Sequence, residues 1–263
     1  MDFGFNDEYK MIQKMYREFA EKEIKPLAEE IDENERFPKE SVQKMADNGM
    51  LGIPFPEEYG GEEGDYLSYV IAVEELSKVC ASTGVTLSAH TSLGSAPIYD
   101  WGTEEQKQKY LTRLASGECL GAFGLTEPNA GTDASRQKTT AVKKGDHYVL
   151  NGSKCFITNA SVADFFVVTA MTAKDQGTKG ISAFLVYKGT PGLSVGNHEN
   201  KMGIRCSTTS DVILEDVRIP AENRLGEEGT GFITAMKTLD LARTWCAAIG
   251  VGVAQRCIDE AVA

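Results

Sequence analysis

The sequence predicts an α+β chain in three parts: an N-terminal all-α helical domain, a middle β-sandwich or barrel domain, and the start of a C-terminal helical domain. Three observations lead there. Apolar residues recur every three or four positions through residue 117, switch to alternation from Leu120, and return to the longer period after Gly231. The parts are bounded at 1–118, 119–228 and 229–263.

Asn6 caps a first helix in which Tyr9, Ile12, Tyr16, Phe19 and Ala20 share one face, while Lys10, Lys14, Arg17 and Glu21 face water. Pro26 is expected to end it. A second helix starts near Pro38, buries Val42, Met45 and Ala46, and stops at Gly49. Beyond the turn-rich run from Pro54 to Asp65, a third carries Leu67, Val70, Val73 and Leu76 on one face, and another runs from after Ser82 to about Leu93. Thr103 with Gln106 forms a capping box, and Leu111 and Leu114 line the helix that Gly117 ends.

The middle part consists of short runs rich in β-branched and aromatic residues: CLGAFGL, TTAVKK, HYVLNG, KCFITNA, DFFVVTAM, GISAFLVY, LSVG and DVILEDVRI. Lys144-Gly145-Asp146 and Asn151-Gly152 read as hairpin turns. A final helix bears Phe232, Ala235, Met236, Leu239, Trp245, Ile249 and Val253, and its apolar stripe reaches the last residues with neither a Gly cap nor a Pro. A stripe of that width needs a partner, so further C-terminal helices are expected to be missing.

The chain of 263 residues has 27 basic and 39 acidic side chains and a net charge of −12, which disfavours nucleic acid. It has no apolar run long enough to cross a membrane, and the acidic start MDFGFNDEYK is unlike a leader peptide, so a cytoplasmic location is expected. Six dispersed cysteines read as buried thiols of a reducing compartment. The histidines His90, His147 and His198 lie far apart, which leaves no metal site and no histidine-based triad.

Two segments carry the chemistry. GAFGLTEPNAGTDAS, residues 121 to 135, is a strand end followed by a loop that either exposes backbone N–H groups to a polar ligand or is simply a turn. NGSKCFITNA, residues 151 to 160, leads to a strand that ends at Thr158-Asn159. Together with EEYGG at 57 to 61, KMGIR at 201 to 205 and LGEEGTGF at 225 to 232, they resemble the acyl-CoA dehydrogenase family, most closely its short-chain, butyryl-CoA type. The resemblance covers essentially the whole chain.

That resemblance implies FAD between the β-domain and the C-terminal helices. Phe123, Gly124, Leu125, Thr126, Glu127, Pro128, Asn129, Ala130, Gly131 and Thr132 would line it, with Thr126 on the flavin pyrimidine edge and Gly131 allowing close approach. Phe156, Ile157 and Thr158 would pack on the ring, the Thr158 hydroxyl near N5. The competing reading makes Phe123 and Phe156 core aromatics, and Thr126 and Thr158 ordinary strand-end hydroxyls. For the acyl-CoA, the implied contacts are Thr132, Asp240, Leu241, Ala242 and Arg243, although Asp240 and Arg243 could be only an ion pair within one helix.

The implied reaction is FAD-dependent α,β-dehydrogenation of a short-chain acyl-CoA to the 2-enoyl-CoA. A carboxylate takes the α-proton and the β-hydrogen leaves as hydride. Electron-transferring flavoprotein would accept the electrons from a homo-oligomer, tetramer or dimer. The family's catalytic Glu falls beyond residue 263, and Ala242 occupies the alternative position, so residues 1 to 263 alone are expected to be inactive and to hold FAD weakly. Where short-chain members read D-G-G-R-I-G, this chain has Asp240-Leu241-Ala242-Arg243-Thr244-Trp245, whose bulk either reshapes the face near the acyl cavity or packs on another helix. The rival functions are a non-catalytic acyl-CoA or FAD-binding fragment, a partner-binding paralogue, and an enzyme using the same fold on nitroalkanes or as an acyl-CoA oxidase.

Overall fold

The computed structural model describes residues 4–263; the acidic start at Met1–Phe3 lies outside them. Asn6 caps α1 (Asp7–Phe19) by accepting the Tyr9 N–H at 2.9 Å. Pro26 does not end the helix, contrary to the sequence expectation. A π-helical turn at Ala20–Ile24 leads straight into α2 (Lys25–Glu33), with Pro26 in its first turn, where a missing N–H costs least. The wider turn also keeps Ala20 and Ile24 buried.

Helix α3 (Lys39–Asp47) starts after Pro38 and stops at Gly49, as expected. In α4 (Tyr66–Val79), Asp65 accepts the Ser68 N–H at 2.7 Å. Its buried surface is wider than the predicted stripe: Tyr69, Ile71, Ala72, Val73 and Leu76 are inside, while Leu67 is exposed. Helix α5 (Ala81–Ser88) continues past the expected end through a π-helical stretch, Ala89–Ser95, into α6 (Ala96–Trp101). The Thr103–Gln106 capping box opens α7 (Glu104–Gln106), and α8 (Thr112–Ala115) ends the helical domain just before Gly117.

Among the described residues the middle domain has eight strands: β1 (Gly121–Gly124), β2 (Thr140–Lys144), β3 (His147–Thr158), β4 (Phe165–Met171), β5 (Ile181–Tyr187), β6 (Leu193–His198), β7 (Thr209–Pro220) and β8 (Arg224–Leu225). Their order is β6-β7-β3-β2-β4-β5-β8, with β1 parallel to β4. β2 and β4 pair only at Thr140 and Met171. The two halves joined there share one core, in which Tyr148 and Leu150 of β3 meet Phe166 and Val168 of β4. This is the expected middle β-domain, its strands joined in a single sheet.

Lys144-Gly145-Asp146 is a hairpin turn, but Asn151-Gly152 is not. HYVLNG and KCFITNA are one strand, β3, with a register shift against β7 between Leu150 and Gly152. Asn151 is clipped to Asp216 of β7, accepting its N–H at 2.8 Å and donating to its Oδ1 at 3.1 Å. Gly152 has φ 149°, and a Cβ there would lie 2.4 Å from Thr139 Oγ1. Opposite the Asn-Gly signal lies a bulge, in which β7 sets Glu215 and Asp216 against Asn151 alone and β3 continues.

Helix α9 (Gly231–Val262) runs along α4 and finds a partner within the chain. Ala235, Thr238, Ala242, Trp245, Ala248 and Gly252 are buried. Trp245 meets Tyr69 edge-on at 5.0 Å and Tyr66 at 5.9 Å, so its bulk packs on another helix. Val253 is exposed, as are Val251, Ile258 and Val262, so only part of the predicted stripe is covered. Four cysteines are buried as expected; Cys246 and Cys257 are exposed on α9. Among the described residues no helix is long and apolar enough to cross a membrane.

Candidate functional site

The two motif segments lie side by side. The Cys155 N–H donates to the Thr126 carbonyl at 2.8 Å, and the Lys154 ammonium donates to the Leu125 carbonyl at 3.2 Å. The loop after β1 and the end of β3 therefore form one continuous wall.

Its front is shaped by strain. A second register shift separates Lys154 from Ile157, and within it Phe156 has φ 58°. A left-handed backbone costs a non-glycine residue about 1 kcal/mol or more. The same bulge turns the Phe156 ring outward, leaving the residue 64% exposed in a strand whose neighbours are buried. Thr126 and Thr158 are half-buried beside it. Asn159, φ 65°, is buried and donates to the Thr86 carbonyl at 3.2 Å, tying the strand end to α5.

The predicted loop residues divide by burial. Pro128, Asn129, Gly131 and Thr132 are exposed, and nothing lies within 4 Å of where a Gly131 Cβ would stand. Phe123 and Leu125 point into a core with Leu114 and Phe165, so Phe123 is a core aromatic. Ala130 and Ile157 are buried too, and Gly124 sits against the Lys154 stem. An exposed aromatic ring, flanking hydroxyls and an exposed loop left open at Gly131 fit a flat heteroaromatic group carrying a polar tail, as FAD does.

Glu127 faces the other way. Its carboxylate is buried and takes the Lys154 ammonium at 2.7 Å, the Lys138 N–H at 2.5 Å and the Thr139 N–H at 3.1 Å. Burial pushes its carboxyl up, but the Lys154 charge and these N–H donors outweigh burial and hold it below the ordinary range. Burial draws Lys154 down to about 8, so at neutral pH both members stay charged. Lys154 was absent from the sequence-predicted set. Period two in β3 did carry a signal, because Tyr148 and Leu150 face inward and Lys154 follows at the same parity.

On α9, Asp240 and Arg243 pair at 2.9 Å with both side chains more than two-thirds exposed. They share a face. Ala242 is buried against α4 and does not join that face, while the half-buried Leu241 lines a surface hollow with Asp240, Lys237 and Trp101. His90 is a second residue the sequence reading passed over. Its Nδ1 accepts the Gly121 N–H at 3.1 Å and its Nε2 donates to the Leu114 carbonyl at 3.0 Å, joining the helical domain to β1. Burial pushes its imidazole down to about 4, so it is neutral at physiological pH. Among the described residues no cluster of His, Cys, Asp and Glu could hold a metal ion.

A family model described as the acyl-CoA dehydrogenase N-terminal domain matches residues 6–118, and one described as the middle domain matches residues 122–217. A short-chain specific acyl-CoA dehydrogenase of Clostridium acetobutylicum is 60% identical over 99% of this chain and 69% of its own length. A chain from a structure of the electron transferring flavoprotein of Acidaminococcus fermentans is 55% identical with a TM-score of 0.97, covering 100% of this chain and 69% of that one. An acyl-CoA dehydrogenase of Bacillus anthracis solved with FAD is 42% identical with a TM-score of 0.89, covering 96% of this chain and 44% of that one. The fold and these matches define a flavoprotein oxidoreductase built on helical and β layers. The chain belongs to the acyl-CoA dehydrogenase family, whose cofactor is FAD and whose chemistry is oxidation and reduction at a CH–CH bond.

Proposed function

We propose that this chain acts in the FAD-dependent α,β-dehydrogenation of a short-chain acyl-CoA thioester, giving the 2-enoyl-CoA and passing electrons to electron-transferring flavoprotein, as a cytoplasmic homo-oligomer. The observation that carries the reading is the outward, strained Phe156 beside the Thr126 loop, an exposed ring that offers its flat face to a flavin. The short-chain specificity is supported by the name of the relative that is 60% identical, and the acceptor by the electron transferring flavoprotein structure that supplied a 55% identical chain.

Bound FAD supplies the acceptor for the hydride that leaves the β-carbon. Phe156 excludes water from one side of that transfer, and the Thr126 and Thr158 hydroxyls orient the ring. The exposed Gly131–Thr132 stretch leaves room for phosphate oxygens and for pantetheine. Arg243 offers a positive charge to the CoA phosphates on a chain whose net charge is −12, with Asp240 holding its guanidinium in place. The α-proton needs a carboxylate. Glu127 cannot serve, because Lys154 holds it on the far side of the wall, and the base is assigned to the region that follows residue 263 in the relatives.

The test is anaerobic bleaching of the FAD-loaded protein, extended by the remaining length of its relatives, with acyl-CoAs from propionyl to octanoyl. Butyryl-CoA is expected to bleach the flavin fastest, and residues 1 to 263 alone to give no turnover. A preference for octanoyl-CoA would remove the short-chain reading. Silence with every acyl-CoA would leave only a binding role.

A further inference from the structure

Behind the wall lies a charged cluster that no step of the proposed reaction uses. The Lys154 side chain is wholly buried. Its ammonium donates to Glu127 Oε1 at 2.7 Å, the Leu125 carbonyl at 3.2 Å, Gln137 Oε1 at 3.2 Å and Thr169 Oγ1 at 3.4 Å. One cation thus reaches the residue before Thr126, the residue after it, the segment entering β2, and β4.

Burying an ion pair gains little stability over apolar residues of similar volume, since desolvation offsets the attraction. A pair of apolar side chains, however, could not hold a loop carbonyl and a loop carboxylate at once. Here consecutive β3 residues grip Thr126 from both sides. The Lys154 side chain takes its two neighbours, and the Cys155 N–H takes its own carbonyl at 2.8 Å. The next residue, Phe156, is the one turned outward.

We infer that Lys154 is a positioning residue for the flavin: by holding Leu125 and Glu127 on either side of Thr126, it sets the spacing between the Thr126 loop and the Phe156 ring. The inference rests on the flavin reading above. It adds that the accuracy of the wall comes from the charged cluster behind it, and that the groups touching the cofactor depend on a residue that never meets it.

In the protein extended by the remaining length of its relatives, the experiment titrates FAD against the parent, Lys154→Met, Glu127→Gln and the double variant Glu127→Gln/Lys154→Met. It follows flavin fluorescence, the visible spectrum and the reduction potential of the bound flavin, with thermal unfolding of the FAD-free proteins in parallel. Lys154→Met leaves a buried carboxylate without its cation and is expected to lose stability, whereas the double variant removes both charges and regains it. The double variant is expected to melt close to the parent yet bind FAD about tenfold or more weakly, with its flavin band and potential displaced. Glu127→Gln keeps an oxygen for Lys154 and Thr139, and is the milder probe; it is expected to shift the band in the same direction by less. Parent-like affinity and spectrum in Glu127→Gln and in a folded double variant overturn the inference and leave the flavin reading standing. A parent protein that binds no FAD overturns the flavin reading and the inference together.

Discussion

Two ion pairs, both containing residues that the motifs single out, behave as opposites. Lys154 and Glu127 meet at 2.7 Å with side chains 0% and 3% exposed, and the Lys138 and Thr139 N–H groups, the Leu125 carbonyl and Gln137 Oε1 complete their hydrogen bonds. Arg243 and Asp240 meet at 2.9 Å with side chains 69% and 68% exposed, within one helix. The distances are nearly equal. What differs is the medium: water screens the second pair, so holding it together adds little to stability and its charges stay available to an anionic ligand. The first pair is out of water, so neither member can be lost without exposing the other to a cost. A charged residue in a motif can therefore be a contact or a foundation, and burial decides which.

The sharpest way to break this comparison is Lys154→Met alone. It should cost about 3–5 kcal/mol of stability in chemical denaturation, because it leaves Glu127 buried and unpaired. A loss below about 1 kcal/mol would mean that water reaches the pair, and the contrast with α9 would fail.

His90 sharpens the same contrast with a buried group that stays neutral. Its folded-state value of about 4 lies below the ordinary 6.5. The unfolded chain therefore binds the proton first as pH falls. The stability contributed is fully present above about pH 6.5 and is lost progressively down to about pH 4, on the order of 3 kcal/mol in all. Denaturation midpoints measured across that range should show the slope in the parent and not in His90→Gln, beyond whatever the carboxylates contribute in both.

Phe156→Gly probes the front of the wall against its rear. Removing the left-handed strain should raise stability by up to about 1 kcal/mol, while FAD binding weakens. Opposite signs in the two measurements mark a residue kept for the ligand; a loss of both would make Phe156 part of the core. The smallest effect is expected from Arg243→Gln, which should move the thermal midpoint by less than about 0.5 kcal/mol in free energy and weaken acyl-CoA binding in an equilibrium titration.

Much of the fold was legible because it follows from local rules. Asn6, the Thr103–Gln106 box and the Lys144-Gly145-Asp146 turn do in the structure what their chemistry requires locally. Pro26 and Asn151-Gly152 misled for the same reason in reverse. Each is a strong local breaker, and each was absorbed by a rearranged hydrogen-bond pattern, a π-helical turn or a bulge, because the flanking apolar residues had more burial to gain from an unbroken element. For the site, the motif residues did assemble into a wall, yet Glu127 and Phe123 turned inward while Phe156 turned out.

By itself the sequence determined the order of helical and β parts, the caps and turns, and the family, since all of these depend on which residue types stand at which spacing. Only the tertiary structure decided which motif residues face a ligand and which face one another. The direction of a side chain at a bulge, and which distant glutamate a buried lysine meets, depend on packing between elements far apart in the chain, and no local pattern contains it.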